Sequence, residues 1–451
     1  MKKPYLCGLI RILKFMNNPI SGFYKKTKQE KLAWLREHYF HEDEETLATL
    51  ENYWHPNKEV QSLHDEFIEN TVSNFYLPIG IAPNFNINGK LLAIPMAIEE
   101  SSVVAAASNA AKFWLERGGF HAEVISSVKN GQVHFTYMGD KKHLIAFFNQ
   151  HKSAFIHAIS DLQKNMQARG GGLLNVELID KTNELEHYYQ LHATFETLDA
   201  MGANFINSCL EAMAQALEDL GSEYKPFKEQ NTFPIVEMSI LSNYTPECLV
   251  RAEVQCKVAD LKHGNLGGEE FARRLVRAVN IAKVEPRRAV THNKGIMNGI
   301  DAVVIATGND FRAVEAGAHA YACKDGHYTS LTHAEIKGDT FRFWIELPLA
   351  IGTVGGLTSL HPMVRFALSL LENPNAKELM EIIAVAGLAQ NFAALRSLVT
   401  TGIQQGHMRM HLGNILNQLD ANASQKESAE AYFKKHTVSF KAVKHFLENN
   451  K

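Results

Sequence analysis

Arg288, Lys294, Asn298 and Asp310 fall within one short region, around "THNKGIMNGIDAVVIATGNDFRA" from Thr291 to Ala313. They offer a guanidinium, an ammonium, an amide and a carboxylate. Arg288 can hold a carboxylate through two parallel hydrogen bonds. Lys294 can stabilise an oxyanion while it stays protonated, and an Asp310 close by would keep it so. Two unrelated surface charges are the plain alternative. The apolar, β-branched run before "TGND" argues against it, because α/β proteins commonly present site residues at the ends of such strands.

Four further stretches carry groups that could do chemistry. In "PMAIEESSVVAAAS" the adjacent Glu99 and Glu100 stand at the mouth of a small-residue helix. They can serve its dipole, or one can be a poorly solvated proton donor. Ser101 or Ser102 is placed to cap that helix. In "TLDAMGANFINS" Gly202 opens a helix after a strand, a setting that suits a pyrophosphate. It is not the G-x-G-x-x-G fingerprint, and "RGGGLLN" does not supply it. "IGTVGGLTSLHP" is a Gly-rich turn, as fit for packing as for ligand contact. "GIQQGHMRMHLGN" puts His407 and His411 at helical metal-ligand spacing, but without a third ligand or an H-E-x-x-H glutamate, so no metal is expected. His407 alone could be a general acid.

These residues need elements to hold them. The first 70 residues read as helices: "TKQEKLAWLREHYF", "DEETLATLENYW" and "VQSLHDEFIENTVSNFYLP", the last ended by Pro78. Asn88-Gly89 between apolar runs signals a hairpin. The Ala-rich helix that follows ends at Gly118-Gly119. From about residue 119 the texture alternates between strands and helices, as in a sheet-plus-helix insert, which ends near "YKPFKEQ". "GEEFARRLVRAVNIAKV" and the C-terminal 55 residues read as helical. No internal repeat appears.

A chain of 451 residues exceeds one core of typical size, so two or three domains are expected. Hydrophobic residues at 45% and charged ones at 21% place it among globular proteins. A net charge of −3 without a basic run speaks against nucleic acid as a partner. Five cysteines without a C-x-x-C pair suggest neither a disulfide framework nor a zinc knuckle, and fit a reducing cytoplasm. Arg11 and Lys14 interrupt the apolar run of the first 20 residues, which reads as an amphipathic arm rather than a signal peptide. No run of about 18 apolar residues predicts a membrane span.

In order and spacing, "EESSVVAAAS", "DAMGAN", the Thr291–Ala313 stretch with the following "EAGAHAYA", "GTVGG" and the "GIQ.GHM..H" pattern resemble 3-hydroxy-3-methylglutaryl-CoA (HMG-CoA) reductases of class II, the soluble bacterial form. The resemblance spans roughly residues 20 to 440. It implies an α/β (α+β) fold: a large substrate domain (21–118 and 232–395), an inserted small ferredoxin-like, non-Rossmann dinucleotide-binding domain (119–231) and a helical C-terminal flap (396–451). The implied reaction is reduction of HMG-CoA to mevalonate and CoA by two hydrides, with NADPH, or with NADH in its place, and no metal. The resemblance makes Glu100 the catalytic glutamate, Lys294 the carbonyl-polarising lysine, Asp310 the aspartate linking those two, and His407 the donor to the CoA thiolate. Ser102, Arg288 and Asn298 resemble substrate contacts; Asp199, Met201, Gly202, Ala203 and Asn204 resemble the dinucleotide-binding segment. Ser101 stands where many members of that family carry proline. A homodimer or a multiple of it, with sites between subunits, is also implied. Two alternatives stay open: the same enzyme run oxidatively with NAD, and a catalytically silent CoA-binding scaffold. Asp161, Lys164 and Arg169 offer groups of both kinds for cofactor choice.

Overall fold

Thr27 and Glu30 exchange side-chain and backbone bonds in a capping box, and that local signal starts helix α1 (Lys28–Leu35), which runs into a wider turn at Arg36–Phe40. α2 (Glu44–Asn52) and α3 (Lys58–Asp65, capped by Asn57) follow. The computed structural model describes residues 19–40, 44–264, 266–400, 412–413, 415–433 and 436–450. The chain divides into two units, Met1–Pro78 and Ile79–Lys451. In the first, the helix expected to run to Pro78 stops at Asp65. Tertiary bonds win over propensity there: Trp54 Nε1 donates to Val72 O (2.9 Å) and Ser73 to Leu50 O (2.5 Å), which fold the segment back.

The second unit opens with the hairpin β1 (Ile79–Ile87) and β2 (Lys90–Ala97). Its turn residues Asn88 and Gly89 have φ of 51° and 86°, as the two-residue hairpin turn requires. α4 (Val103–Leu115) buries Val103, Ala107, Ala110, Ala111 and Trp114. β3 (His121–Val124) comes next, then β4 (Lys129–Thr136), α5 (Lys141–Ala158), α6 (Ser160–Gln167), β5 (Gly172–Asp180), β6 (Tyr188–Glu196), α7 (Ala203–Glu223), α8 (Lys225–Gln230) and β7 (Ile235–Leu241). Four of these strands form an antiparallel sheet in the order β5-β6-β4-β7. β6 alternates between buried and half-buried positions along its length, so one face meets the core and the other stays partly solvated. That core gathers Val133, Phe135, Phe147, Phe195, Leu210 and Met213 from strands and helices. Strand pairing moves the edges of this layer from where texture suggested: β3 pairs with a strand of the other sheet, and β7 pairs with β4.

The other four-stranded sheet has the order β3-β8-β10-β9, with β8 at Leu249–Lys257, β9 at Thr332–Lys337 and β10 at Thr340–Pro348. Between β8 and β9 run α9 (Gly268–Val284), α10 (Pro286–Ala306) and α11 (Phe311–Tyr321). After β10 come α12 (Leu357–Leu360), α13 (Pro362–Leu370) and α14 (Ala376–Val399). The apolar run before "TGND" is therefore the end of a 21-residue helix, not a strand. Burial of Val303 and Val304 against neighbouring elements overrides their weak β preference. α14 has 24 residues and is long and apolar enough to cross a membrane, yet 72% of its most apolar window is buried in protein, as in a core helix. α15 (Ala423–Phe433) and α16 (Phe440–Asn449) share a separate core with Leu416, Val443 and Leu447.

One half-buried pair on these helices has a measurable signature. Asp301 of α10 shares a hydrogen bond with Glu315 of α11, and among the described residues its Oδ1 finds no partner. Burial first, and then Glu315, push its carboxyl up to about 8. The folded state thus holds a proton that the unfolded chain, titrating near about 4, releases earlier. Stability should fall as pH rises from about 4 to about 8, and Asp301→Asn should flatten that fall in urea titrations across the range. An unchanged slope would contradict the shared proton.

Candidate active site

Pro286 occupies the first turn of α10 and Glu285 caps it, its carboxylate accepting from Arg287 N and Arg288 N. From that start the helical period brings Arg288, Lys294 and Asn298 to one pocket wall. The opposite wall is the start of α4 with Glu100 and Ser102, and α14 adds Gln390. The cavity measures about 630 Å³. Lys294 Nζ donates to Glu100 Oε2 at 2.6 Å and Asn298 Nδ2 to the same oxygen at 3.3 Å. A carboxylate, an ammonium and an amide thus converge from segments 194 and 198 residues apart.

Ser102 is the N-cap residue of α4 with φ of 79°, a left-handed conformation uncommon for a residue with a side chain. Its hydroxyl makes no capping bond to the helix, contrary to the expectation for this serine pair. Strain of this kind collects at functional sites. Burial lowers the Arg288 guanidinium from its ordinary value. Guanidinium groups nonetheless stay charged in proteins, and this one faces the pocket.

Below the pocket lies a polar floor that the sequence reading did not single out. His292 is 1% exposed; its Nε2 pairs with Thr332 Oγ1 at 2.6 Å, and Thr332 Oγ1 donates to Asn391 Oδ1 at 3.0 Å. Asn391 Nδ2 returns to His292 O at 3.3 Å. Burial, then Arg288, push His292 down to about 3, so it is a neutral positioning group beneath the cations. Its sequence signal was only adjacency to Lys294, in a chain with 21 histidines.

Other predicted residues stand elsewhere in the chain. Asp310 caps α11, accepting from Arg312 N (3.0 Å) and Ala313 N (3.3 Å), and pairs with the Arg312 side chain (3.1 Å). Burial alone would raise its pKa, but Arg312 and these amides outweigh burial and hold it below the ordinary value. It is not among the groups bound to Lys294 or Glu100 in this chain, where those two meet directly. Asp199 accepts from Ala376 N through Oδ1 (2.8 Å), while its carbonyl accepts from Thr353 N (2.8 Å). Met201, Gly202 and Ala203 are half-buried at the start of α7, and Asn204 is exposed. Gly202 has φ of 88°, and a Cβ there would lie 2.5 Å from Thr197 Cγ2. Neighbouring Asn309 accepts from Gly352 N (2.8 Å), so Asp310, the glycine turn and the Asp199–Asn204 segment form one connected group. Asp161 and Lys164 pair with each other on the surface at 2.7 Å. His407 and His411 lie outside the described residues.

The hydroxymethylglutaryl-coenzyme A reductase family profile matches residues 27–412. A 3-hydroxy-3-methylglutaryl-coenzyme A reductase of Archaeoglobus fulgidus is 38% identical over 414 residues, covering 92% of this chain and 90% of that protein. A relative from Borreliella burgdorferi is 36% identical over 366 residues, covering 79% and 80%. A solved class II reductase of Streptococcus pneumoniae, bound to NADPH in open conformations, superposes with a TM-score of 0.70 at 35% identity, covering 94% of this chain and 99% of that one. These matches define an NAD(P)-dependent oxidoreductase. The chain belongs to the hydroxymethylglutaryl-coenzyme A reductase family, and its solved neighbours are of class II.

The Lys294 and Glu100 side chains are 61% and 38% exposed, so their pairing adds little to stability. Lys294→Met and Glu100→Gln should each change unfolding free energy by less than about 1 kcal/mol in urea titrations. A loss of about 3 kcal/mol or more would make the pair a structural element instead.

Proposed function

We propose that the protein reduces HMG-CoA to mevalonate and CoA in the cytoplasm with NADPH, the cofactor that the Streptococcus pneumoniae relative holds. The observation that carries this reading is the 2.6 Å contact of Lys294 with Glu100 inside a pocket that also presents Arg288 and Asn298. Arg288 suits the free carboxylate of the hydroxymethylglutaryl end, with Ser102 and Asn298 beside it. Lys294 faces the thioester carbonyl and stabilises the oxyanion that each reduction builds. Glu100, hydrogen-bonded to that lysine, delivers a proton to the alcohol oxygen. His407 protonates the departing CoA thiolate. A groove of about 750 Å³ that adjoins the pocket at Leu398 is walled by Arg273, Arg274 and Arg277, charges suited to the CoA phosphates.

The residues at the start of α7 fit a dinucleotide. Gly202 lets the chain turn into a 21-residue helix whose first-turn amides have no partner within the helix, and Asp199, Met201, Ala203 and Asn204 frame that end. A reduced nicotinamide bound there would supply one hydride, so the two reductions would consume two cofactors in succession. Within one chain this segment clusters with Asp310 rather than with the Lys294 pocket. That division supports a homodimer in which Asp310 and the dinucleotide segment of one copy complete the Lys294–Glu100 pocket of the other.

Purified protein should oxidise NADPH when HMG-CoA is added, and mevaldehyde should serve as a second substrate. Lys294→Ala should lower turnover on both by about a hundredfold or more, because each step builds an oxyanion; near-normal turnover on either would remove that role. Subunit mixing tests the shared site. Glu100→Gln and Asp310→Asn should each be inactive alone, and re-associated mixtures should recover roughly a quarter of native activity, since half the dimers then carry one intact site. No recovery from mixtures shown to exchange subunits would place the whole site in one chain.

A further inference from the structure

Lys129 is the first residue of β4 and is 4% exposed. A lysine so buried needs a reason, because an ammonium out of water costs several kcal/mol unless its donors are satisfied. A methionine of similar reach would fill the space without that cost. Burial pushes the Lys129 ammonium down in pKa, against the nearby Cys248, Glu196 and Asp199. Its Nζ donates to Thr197 Oγ1 at 2.6 Å, Ala200 O at 2.7 Å and Ile351 O at 3.3 Å. All three donors are used, and all three acceptors are neutral oxygens.

The acceptors come from two places. Thr197 and Ala200 bracket the approach to the dinucleotide segment, and the Thr197 hydroxyl itself donates to Ala200 O at 2.7 Å. Ile351 leads the glycine turn that follows β10. The two strips lie side by side: Ala200 and Val354 form an isolated parallel bridge, and Thr353 N donates to Asp199 O at 2.8 Å. They approach so closely that a Cβ on Gly352 would lie 2.4 Å from Met201 N. Gly352 N then reaches Asn309 Oδ1, next to Asp310. The geometry points to Lys129 as a positioning residue for the nicotinamide cofactor: it ties the dinucleotide segment to the glycine turn, and through it to Asp310. Sealed from solvent, it touches neither substrate nor cofactor; it sets where the segment above it stands.

This inference rests on the reductase reading for the identity of the cofactor, so its test uses binding as well as turnover. NADPH fluorescence titration of Lys129→Met should show affinity weakened about tenfold or more, from the loss of charge-assisted bonds. The KM for NADPH should rise in step, while the KM for HMG-CoA stays within about twofold of native. A merely structural lysine would give native NADPH affinity in a folded variant, or equal losses for both ligands, and either result overturns the proposal. Thr197→Val removes one acceptor with little change of shape and should shift NADPH affinity in the same direction. If Lys129→Met does not fold, native NADPH affinity in Thr197→Val overturns the proposal by itself. Native protein that binds NADPH but does not reduce HMG-CoA would sink the reductase reading and leave the role of Lys129 standing. Native protein that fails to bind NADPH would remove both.

Discussion

Two helices pressed backbone to backbone govern where the pocket can form. Gly299 of α10 sits so close to α14 that a Cβ on it would lie 2.5 Å from Ala386 O. Gly387 of α14 answers it, with a would-be Cβ 2.7 Å from Ile300 Cγ1. Glycine is what allows this approach, at some entropic cost in a helix interior. The contact fixes the rotation of α10. His292, Ile296, Gly299, Ile300 and Val303 turn inward, and Arg288, Lys294 and Asn298 turn to the cavity. A side chain at either glycine would part the helices and take the cations with them. The buried loop of His292, Thr332 and Asn391 then locks α10 to β9 and α14 by hydrogen bonds, which packing alone would not orient.

Much of the site was legible in the sequence because its residues stand in short runs with unusual composition. The paired glutamates and the lysine between an asparagine and a glycine can be read without coordinates. The secondary structure around them was less legible. Val303 and Val304 before "TGND" look like a strand end, yet they continue a helix, because neighbours on several sides outweigh a preference worth tenths of a kcal/mol per residue. The segment after Asp65 kept a helical pattern but lost the helix to the indole bond of Trp54. Lys129 gave no signal at all, and His292 only its nearness to Lys294. Their roles depend on acceptors 68 to 222 residues and 40 residues away, respectively, and no local pattern encodes such partners.

The pairing of charges within one chain is itself informative. The resemblance implied that Asp310 joins Lys294 and Glu100. In the chain as folded, Arg312 and the start of α11 claim Asp310, while Lys294 turns to Glu100. Both arrangements fit one physical scheme. The Arg312 side chain is 77% exposed, and a pair held that loosely at the surface is worth little. A second cation brought against Asp310 by another copy could share or displace that arginine at small cost. The backbone amides of Arg312 and Ala313 would keep the aspartate aimed throughout.

Exposure also explains why the Lys294–Glu100 pair suits chemistry better than stability. In an open pocket, water screens the two charges and their attraction is modest. A surface that closed over them would remove that water. The same 2.6 Å contact then lies in a lower dielectric, where an ammonium beside a forming oxyanion counts for far more. The pair can be weak while the site is empty and strong once it is covered, so its interaction energy is available to the transition state rather than spent on holding the fold.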